Sequence, residues 1–132
     1  MFTRSIAVSL ALAAGLAAAS APAQPKPPAQ TSSQCFLSRD WSSWRPSADS
    51  KSIYLRVGVS QVFRLDLAYA CPRLQQPTAR LITEIRGSDW ICHPLDLDLK
   101  VSDGFIPEPC IVKGLTRLTR DEVAALPKTS RP

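Results

Sequence analysis

Apolar and polar residues alternate most regularly in residues 52–67. The apolar residues that recur at every second position are Ile53, Leu55 and Val57, and then Phe63, Leu65 and Leu67. Because successive side chains of a β-strand point to opposite faces, the pattern predicts two half-buried strands. Residues 58–61 lie between them and are few enough for a hairpin turn, so we expect the two strands to pair antiparallel.

Three further strands are predicted in the second half of the chain, at residues 79–86, 95–101 and 110–113. In the first of them Leu81, Thr83 and Ile85 share one face and Ile82 lies on the other. In the second, Leu95, Leu97, Leu99 and Val101 form an apolar face. Turn signals separate these segments, because Gly, Ser and Asp occupy residues 87–89 and 102–104.

A short helix is predicted at residues 120–126. Thr119 precedes Glu122 by three positions, which is the spacing of a capping box, and Pro127 ends the segment. The fold class is therefore mainly β: a small antiparallel sheet or partly closed barrel of about five strands with one short C-terminal helix.

The N-terminal residues indicate export. Residues 1–5 carry one cation, Arg4, residues 6–19 form an apolar run, and Ala21-Pro22-Ala23 is a small-x-small cleavage sequence. This layout predicts a signal peptide over residues 1–23, cleaved after Ala23. The apolar run is shorter than the roughly 20 residues that span a bilayer. We therefore expect a periplasmic or secreted protein with no integral membrane segment in the mature chain.

The remaining chain divides by composition. Residues 24–34 contain three prolines among Gln, Ser, Thr and Ala and show no apolar periodicity, which predicts a disordered or extended spacer. A disulfide-stapled, β-rich domain is expected over residues 35–127. Residues 128–132 are interpreted as a tail.

The four cysteines predict two disulfides, because their number is even and an exported protein meets an oxidising compartment. No two of them have the close spacing of zinc ligands, so we expect no metal site. Sequence leaves three pairings open. We favour Cys71 with Cys92, which closes an excursion within the domain, and Cys35 with Cys110, which ties its start to the last strand.

Charge narrows the range of partners. The chain has a formal net charge of +5, but its arginines are scattered and form no block. A nucleic-acid-binding protein usually concentrates its cations, so we expect no nucleic acid as a partner. An anionic envelope polymer and an envelope protein both remain as expected partners. No motif calls for a cofactor.

A catalytic constellation is the weaker hypothesis. His93 is the single histidine, and Asp96 and Asp98 follow it at a spacing that would place both carboxylates on one face of a strand. A small hydrolase using His93 with either aspartate, or a metal-binding module, therefore remains an alternative. The chain has no nucleophile elbow and no calcium-loop spacing to support either one.

Four side chains form the predicted binding face: Trp41, Trp44, Arg56 and Arg64. Tryptophan beside arginine can stack on a sugar or a peptide, although tryptophans in a small domain more often pack in the core. We expect an exported, non-enzymatic binding or structural domain of the cell envelope.

The order of these segments resembles a bacterial family of exported proteins of unknown function, DUF6491. The shared features are Cys35-Phe36, residues 52–55, residues 62–67, Cys71-Pro72-Arg73-Leu74, Trp90-Ile91-Cys92 with Asp96 behind it, and Pro109-Cys110. The chain departs from the resemblance at Phe63 and Leu65, where a Tyr and an Asn are expected. The resemblance implies an exported four-cysteine domain and brings no catalytic residue.

Overall fold

The structure is a computed structural model that describes residues 34–132. The predicted signal peptide, and all of the predicted spacer except Gln34, lie outside the described residues. The elements, in chain order, are β1 (Phe36–Leu37), β2 (Trp41–Pro46), β3 (Ser52–Val57), β4 (Gln61–Leu67), β5 (Arg80–Ile85), β6 (Trp90–Ile91), β7 (Leu97–Ser102), β8 (Glu108–Pro109), β9 (Val112–Arg117) and the helix α1 (Arg120–Ala125).

The described residues form three antiparallel sheets, which confirms the mainly β prediction. Their strand orders are β2-β3-β4-β9, β5-β7-β8 and β1-β6. The number of strands differs from the prediction of about five, because nine are present in this part of the chain. The predicted hairpin is confirmed as β3 and β4, and Gly58 enters its turn with a φ of 58°.

The core lies between the apolar faces of the two larger sheets. Alternation along each strand supplies these faces, as the sequence predicts for β3, β4, β5 and β7. Phe36 of β1 packs on Phe63 of β4 with the ring centroids 4.7 Å apart, which joins the short β1-β6 ribbon to the same core. The buried cluster consists of Phe36, Ile53, Leu55, Val57, Phe63, Leu65, Leu67, Cys71, Leu74, Ile91, Leu97, Leu99, Val101, Cys110 and Val112.

The alternation pattern does not predict strand β2, because this strand contains a β-bulge. Trp41 pairs with Val57 and Ser43 pairs with Arg56, which leaves Ser42 as the extra residue. A bulge places two residues opposite one and interrupts the period of two. Trp41 and Trp44 therefore share the core face although they lie three positions apart.

A second β-bulge explains why the sequence pattern does not predict most of β9. Leu67 pairs with Val112 while Asp66 pairs with Gly114, so Lys113 is the extra residue. Val112 and Leu115 reach the core face at a spacing of three. The last strand consequently spans Val112–Arg117, not the predicted residues 110–113.

Strand β7 begins at Leu97 and not at the predicted residue 95. A 3-10 turn, Pro94–Asp96, precedes it and leaves Leu95 exposed. The expectation that Asp96 and Asp98 lie on one strand face is therefore wrong. Proline at the first position of the turn fixes its backbone for this geometry.

The favoured disulfide pairing is also wrong. Cys35 pairs with Cys92, and Cys71 pairs with Cys110. The β1-β6 register explains the first bond: Phe36 lies opposite Ile91, so the residues on either side, Cys35 and Cys92, continue the ladder. Their Cα atoms are 4.3 Å apart.

The C-terminal helix is confirmed, together with its cap. Thr119 Oγ1 accepts the backbone N–H of Glu122 at 3.2 Å, and the Glu122 carboxylate accepts the N–H of Thr119 at 2.7 Å. The latter bond lowers the pKa of the Glu122 carboxyl from its ordinary value. The chain then forms a 3-10 turn, Lys128–Ser130, in the segment interpreted as a tail.

Candidate binding groove

The structure does not bring the four residues of the predicted face together. Cross-strand neighbours in an antiparallel pair share a face of the sheet. Trp44 pairs with Leu55, and Trp41 with Val57, so both tryptophans lie on the core face. Arg64 pairs with Tyr54, and Arg56 with Val62, so both arginines lie on the opposite face.

Both arginines of that opposite face are engaged within the domain. The Arg56 guanidinium donates through Nε, at 2.9 Å, and through Nη2 to the main-chain oxygen of Pro132. Arg64 Nε lies 3.0 Å from a carboxylate oxygen of Asp66. Arg56 thus fastens the C-terminal residues to the sheet, which is a structural role.

Trp44 borders an open groove of about 500 Å³ at the edge of strand β2. Three parts of the chain form it: β2 itself, the residues that start at the 3-10 turn Pro72–Gln75, and the C-terminal turn. The lining residues are Trp44, Arg45, Pro46, Leu74, Gln75, Gln76, Pro77, Ala79, Lys128, Thr129 and Arg131.

The C-terminal wall of this groove, which we call the β2 groove, is held in place by hydrogen bonds. Ser130 is buried, and its hydroxyl donates to the carbonyl oxygen of Pro46 at 3.0 Å. Arg131 donates to the carbonyl oxygens of Leu126 and Ala124, at 2.9 Å and 2.6 Å, at the end of helix α1. These carbonyls lack helical partners, so a guanidinium satisfies them well.

The opposite wall is also fixed. The Gln75 side-chain amide donates to the Ser47 carbonyl at 2.7 Å and lies 3.0 Å from the Ser50 hydroxyl. Ser50 is buried and has a φ of 57°, a left-handed conformation that the turn between β2 and β3 requires. Because both walls are fastened to the sheet, the groove is formed before any ligand arrives.

The charge of the β2 groove is of one sign. Arg45, Lys128 and Arg131 line it, and no carboxylate does. Within residues 34–132, the side chains of Arg45 and Lys128 form no hydrogen bond and no ion pair with another described residue. Like charges brought together in this way oppose folding, so the arrangement favours an anionic group from outside.

A second cleft of about 230 Å³ continues on the other side of Trp44. It lies between the edges of β2 and β5, and its polar lining residues are serines and a threonine. The lining residues are Ser38, Trp41, Ser42, Ser43, Trp44, Leu81 and Thr83. Trp41 is oriented there by a hydrogen bond from its Nε1 to the Ser43 carbonyl, at 3.1 Å.

The hydrolase residues do not form a constellation. The His93 side chain is 63% exposed, and its Nδ1 is 3.7 Å from Asp96. The same carboxylate oxygen accepts the backbone N–H groups of Cys92 and His93, each at 2.8 Å, and these bonds lower the pKa of Asp96. Asp98 instead pairs with Arg86 at 2.9 Å, which lowers the Asp98 pKa. Each aspartate thus has a separate structural partner.

Another groove of about 500 Å³ lies at the end of the β3-β4 hairpin, near α1. It is lined by Gln34, Ser60, Gln61, Arg117, Leu118, Thr119, Arg120 and Val123. Arg117 already has an interaction partner, and the lining contains no aromatic side chain. The β2 groove therefore combines more of the features of a binding site.

Sequence reasoning identified Trp44 but missed Lys128 and Arg131. Nothing in residues 128–132 alone predicts contact with β2, because the link is the tertiary bond from Ser130 to Pro46. Among the described residues, no group of three or more His, Cys, Asp or Glu side chains has the proximity that a metal ion requires. No helix in residues 34–132 is both long and apolar enough to cross a bilayer.

Comparison with curated proteins and with solved structures gives no match for this chain. The departures from the resemblance, Phe63 and Leu65, are both fully buried in the core. The model of a family of unknown function, DUF6491, matches residues 1–132, and the chain therefore belongs to that family.

Proposed function

We propose that this protein is an exported, non-enzymatic binding domain that holds a component of the cell envelope in the β2 groove. The observation that carries the proposal is the groove itself. Trp44 and Arg45 of β2 line one open site together with two cations of the C-terminal segment, Lys128 and Arg131. An aromatic surface with a few convergent polar groups is typical of binding sites.

The rigidity of the site supports a binding role. Its walls are fastened by Ser130, Arg131 and Gln75, and two disulfides close the domain around the sheets. A site that is ordered before binding loses less conformational entropy when its partner arrives.

The disulfides also support an extracytoplasmic location, because such bonds persist in oxidising compartments. The described residues contain two of them and no free cysteine. Export would place the groove among the polymers and proteins of the envelope.

Retention on washed envelope fractions tests the proposal. Trp44→Leu removes the aromatic surface but retains an apolar side chain against the core, and it should lower retention by about tenfold or more. Trp90→Leu is the matched control, since Trp90 is exposed on β6 and does not line the groove. Thermal melts of both variants establish that they remain folded.

Two outcomes would contradict the proposal. Unchanged retention of a folded Trp44→Leu variant would exclude the β2 groove as the binding site. Equal loss with Trp90→Leu would indicate a non-specific response to the loss of any tryptophan.

A further inference from the structure

We infer that the ligand of the β2 groove is an acidic glycan, a linear sugar polymer that carries carboxylate or phosphate groups. This inference rests on the proposed function and names the class of ligand. Three observations carry it: the positive charge of the β2 groove, the two tryptophans beside serine and threonine residues, and the length of the surface along β2.

The cations account for the acidic groups. Arg45 and Lys128 have no side-chain partner in the described part of the chain. Arg131 lines the same groove, and its guanidinium donates to carbonyl oxygens at the end of α1. Gln75 and Gln76 add amide groups to the lining. Cations beside neutral hydrogen-bond donors, with no carboxylate among them, match an anion that is also rich in hydroxyl groups.

The tryptophans account for the sugar rings. Trp41 and Trp44 lie on the core face of β2 because of the bulge at Ser42, and both pack partly against the core. They are only partly buried, and both also border the second cleft. Indole faces pack against the C–H faces of sugar rings. Ser38, Ser43 and Thr83, which carry hydroxyl groups, are among the residues that line the same cleft, next to where the ring hydroxyls of such a ligand would lie.

The extent of the surface accounts for a polymer. The β2 groove and the second cleft share Trp44, so together they follow the edge of β2. This strand has six residues, which corresponds to about 20 Å at the usual rise of a strand. A linear ligand can occupy both clefts, with its acidic groups at the Arg45 end and its neutral face at the Trp41 end.

Binding of three defined polymers to the folded, disulfide-bonded protein tests this inference. Polygalacturonate supplies acidic sugars, dextran supplies neutral sugars, and polyphosphate supplies charge without sugars. We expect polygalacturonate to bind at least about tenfold more tightly than either of the other two, because it alone engages both clefts.

A charge-reversed variant provides the matched comparison. Arg45→Glu with Lys128→Glu should weaken polygalacturonate binding by about tenfold or more. Arg120→Glu with Lys113→Glu changes the net charge by the same amount at exposed positions away from both clefts, and it should change binding by less than about twofold.

Several results would overturn the inference. If dextran binds as tightly as polygalacturonate, the cations do not contribute to binding. If polyphosphate binds as tightly, the tryptophans do not contribute. Binding to vesicles of phosphatidylglycerol, without binding to polygalacturonate, would identify a lipid surface instead. If envelope retention depends on Trp44 but not on Arg45 and Lys128, the proposed function stands and the acidic glycan is excluded.

Discussion

Cys35 lies opposite Cys92 across the β1-β6 ladder, one position beyond the pair Phe36 and Ile91. This register makes the pairing a consequence of strand geometry, since the Cα atoms of facing residues fall within disulfide range. Peptide mapping under non-reducing conditions should recover Cys35 linked to Cys92 and Cys71 linked to Cys110. A peptide that links Cys71 to Cys92 would contradict the register.

The two disulfides should differ in their effect on stability. With sequence separations of 57 and 39 residues, each closes a loop worth about 4 kcal/mol in the chain-entropy model. Cys71→Ala with Cys110→Ala should nevertheless cost more than Cys35→Ala with Cys92→Ala, because Cys71 and Cys110 are buried in the core. Denaturant unfolding of the two double variants measures the difference, and the opposite order would contradict it.

Asp96 should make stability depend on pH in the acid range. Backbone N–H bonds from Cys92 and His93 lower its pKa below the ordinary value of 3.8. A depressed carboxyl pKa stabilises the fold above about pH 4, and that contribution disappears as the pH falls through the lower, folded value.

Asp96→Asn tests this dependence. The variant should lose about 1–2 kcal/mol at pH 7, because a neutral amide oxygen accepts weaker bonds, and its unfolding free energy should fall less between pH 5 and pH 3. Asp98→Asn removes an exposed ion pair with Arg86 and should alter the profile less. Identical pH profiles for the natural protein and Asp96→Asn would refute the role of Asp96.

Gly114 is required where β9 bulges past Asp66. A Cβ at this position would lie 3.2 Å from Asp66 Oδ2 and 3.3 Å from its Cβ. Asp66 has little freedom to move, since Ser52 donates to it at 3.0 Å and Arg64 pairs with it. Gly114→Ala should therefore cost about 1–2 kcal/mol in chemical denaturation. Asp66→Ala removes the carboxylate and retains the Cβ, so the same change in that background should cost less. An equal cost would exclude the contact with the Asp66 carboxylate as its cause.

The unpaired cation at Arg45 should be unfavourable for the free protein. Replacing it with Gln removes repulsion from Lys128 and Arg131. At low salt the free energy of unfolding should therefore stay level or rise by up to about 0.5 kcal/mol. High salt should erase the difference through screening. A large fall in stability would mean that Arg45 has a structural role and is not held for a ligand.

The regular strands could be predicted because nothing interrupts their alternation. Ile53, Leu55 and Val57 point to the core in turn, as do Phe63, Leu65 and Leu67. Strands β2 and β9 could not, because the bulges at Ser42 and Lys113 shift the core residues to a spacing of three. A search for apolar residues at every second position cannot detect a strand in which a bulge inserts one extra residue.

Neither the binding groove nor the disulfide pairing could be predicted from local sequence patterns, because each depends on contacts between segments that are distant in the chain. Trp44 is a visible candidate in the sequence, but Lys128 lies at the same groove because tertiary bonds hold the C-terminal residues against the sheet. These bonds run from Ser130 to Pro46 and from Arg56 to Pro132. Likewise, the match between Cys35 and Cys92 depends on a register between strands of two residues each, which carry no periodic signal.

The three tryptophans provide the most direct test of the account, because their indole N–H groups give separate resonances from three sites. Titration of the isotopically labelled protein with polygalacturonate should shift the Trp44 resonance most and the Trp41 resonance next, while that of Trp90 stays in place. Such a result would locate an acidic glycan along the edge of β2. A shift confined to Trp90, or no shift of Trp44 at saturating polymer, would contradict the account.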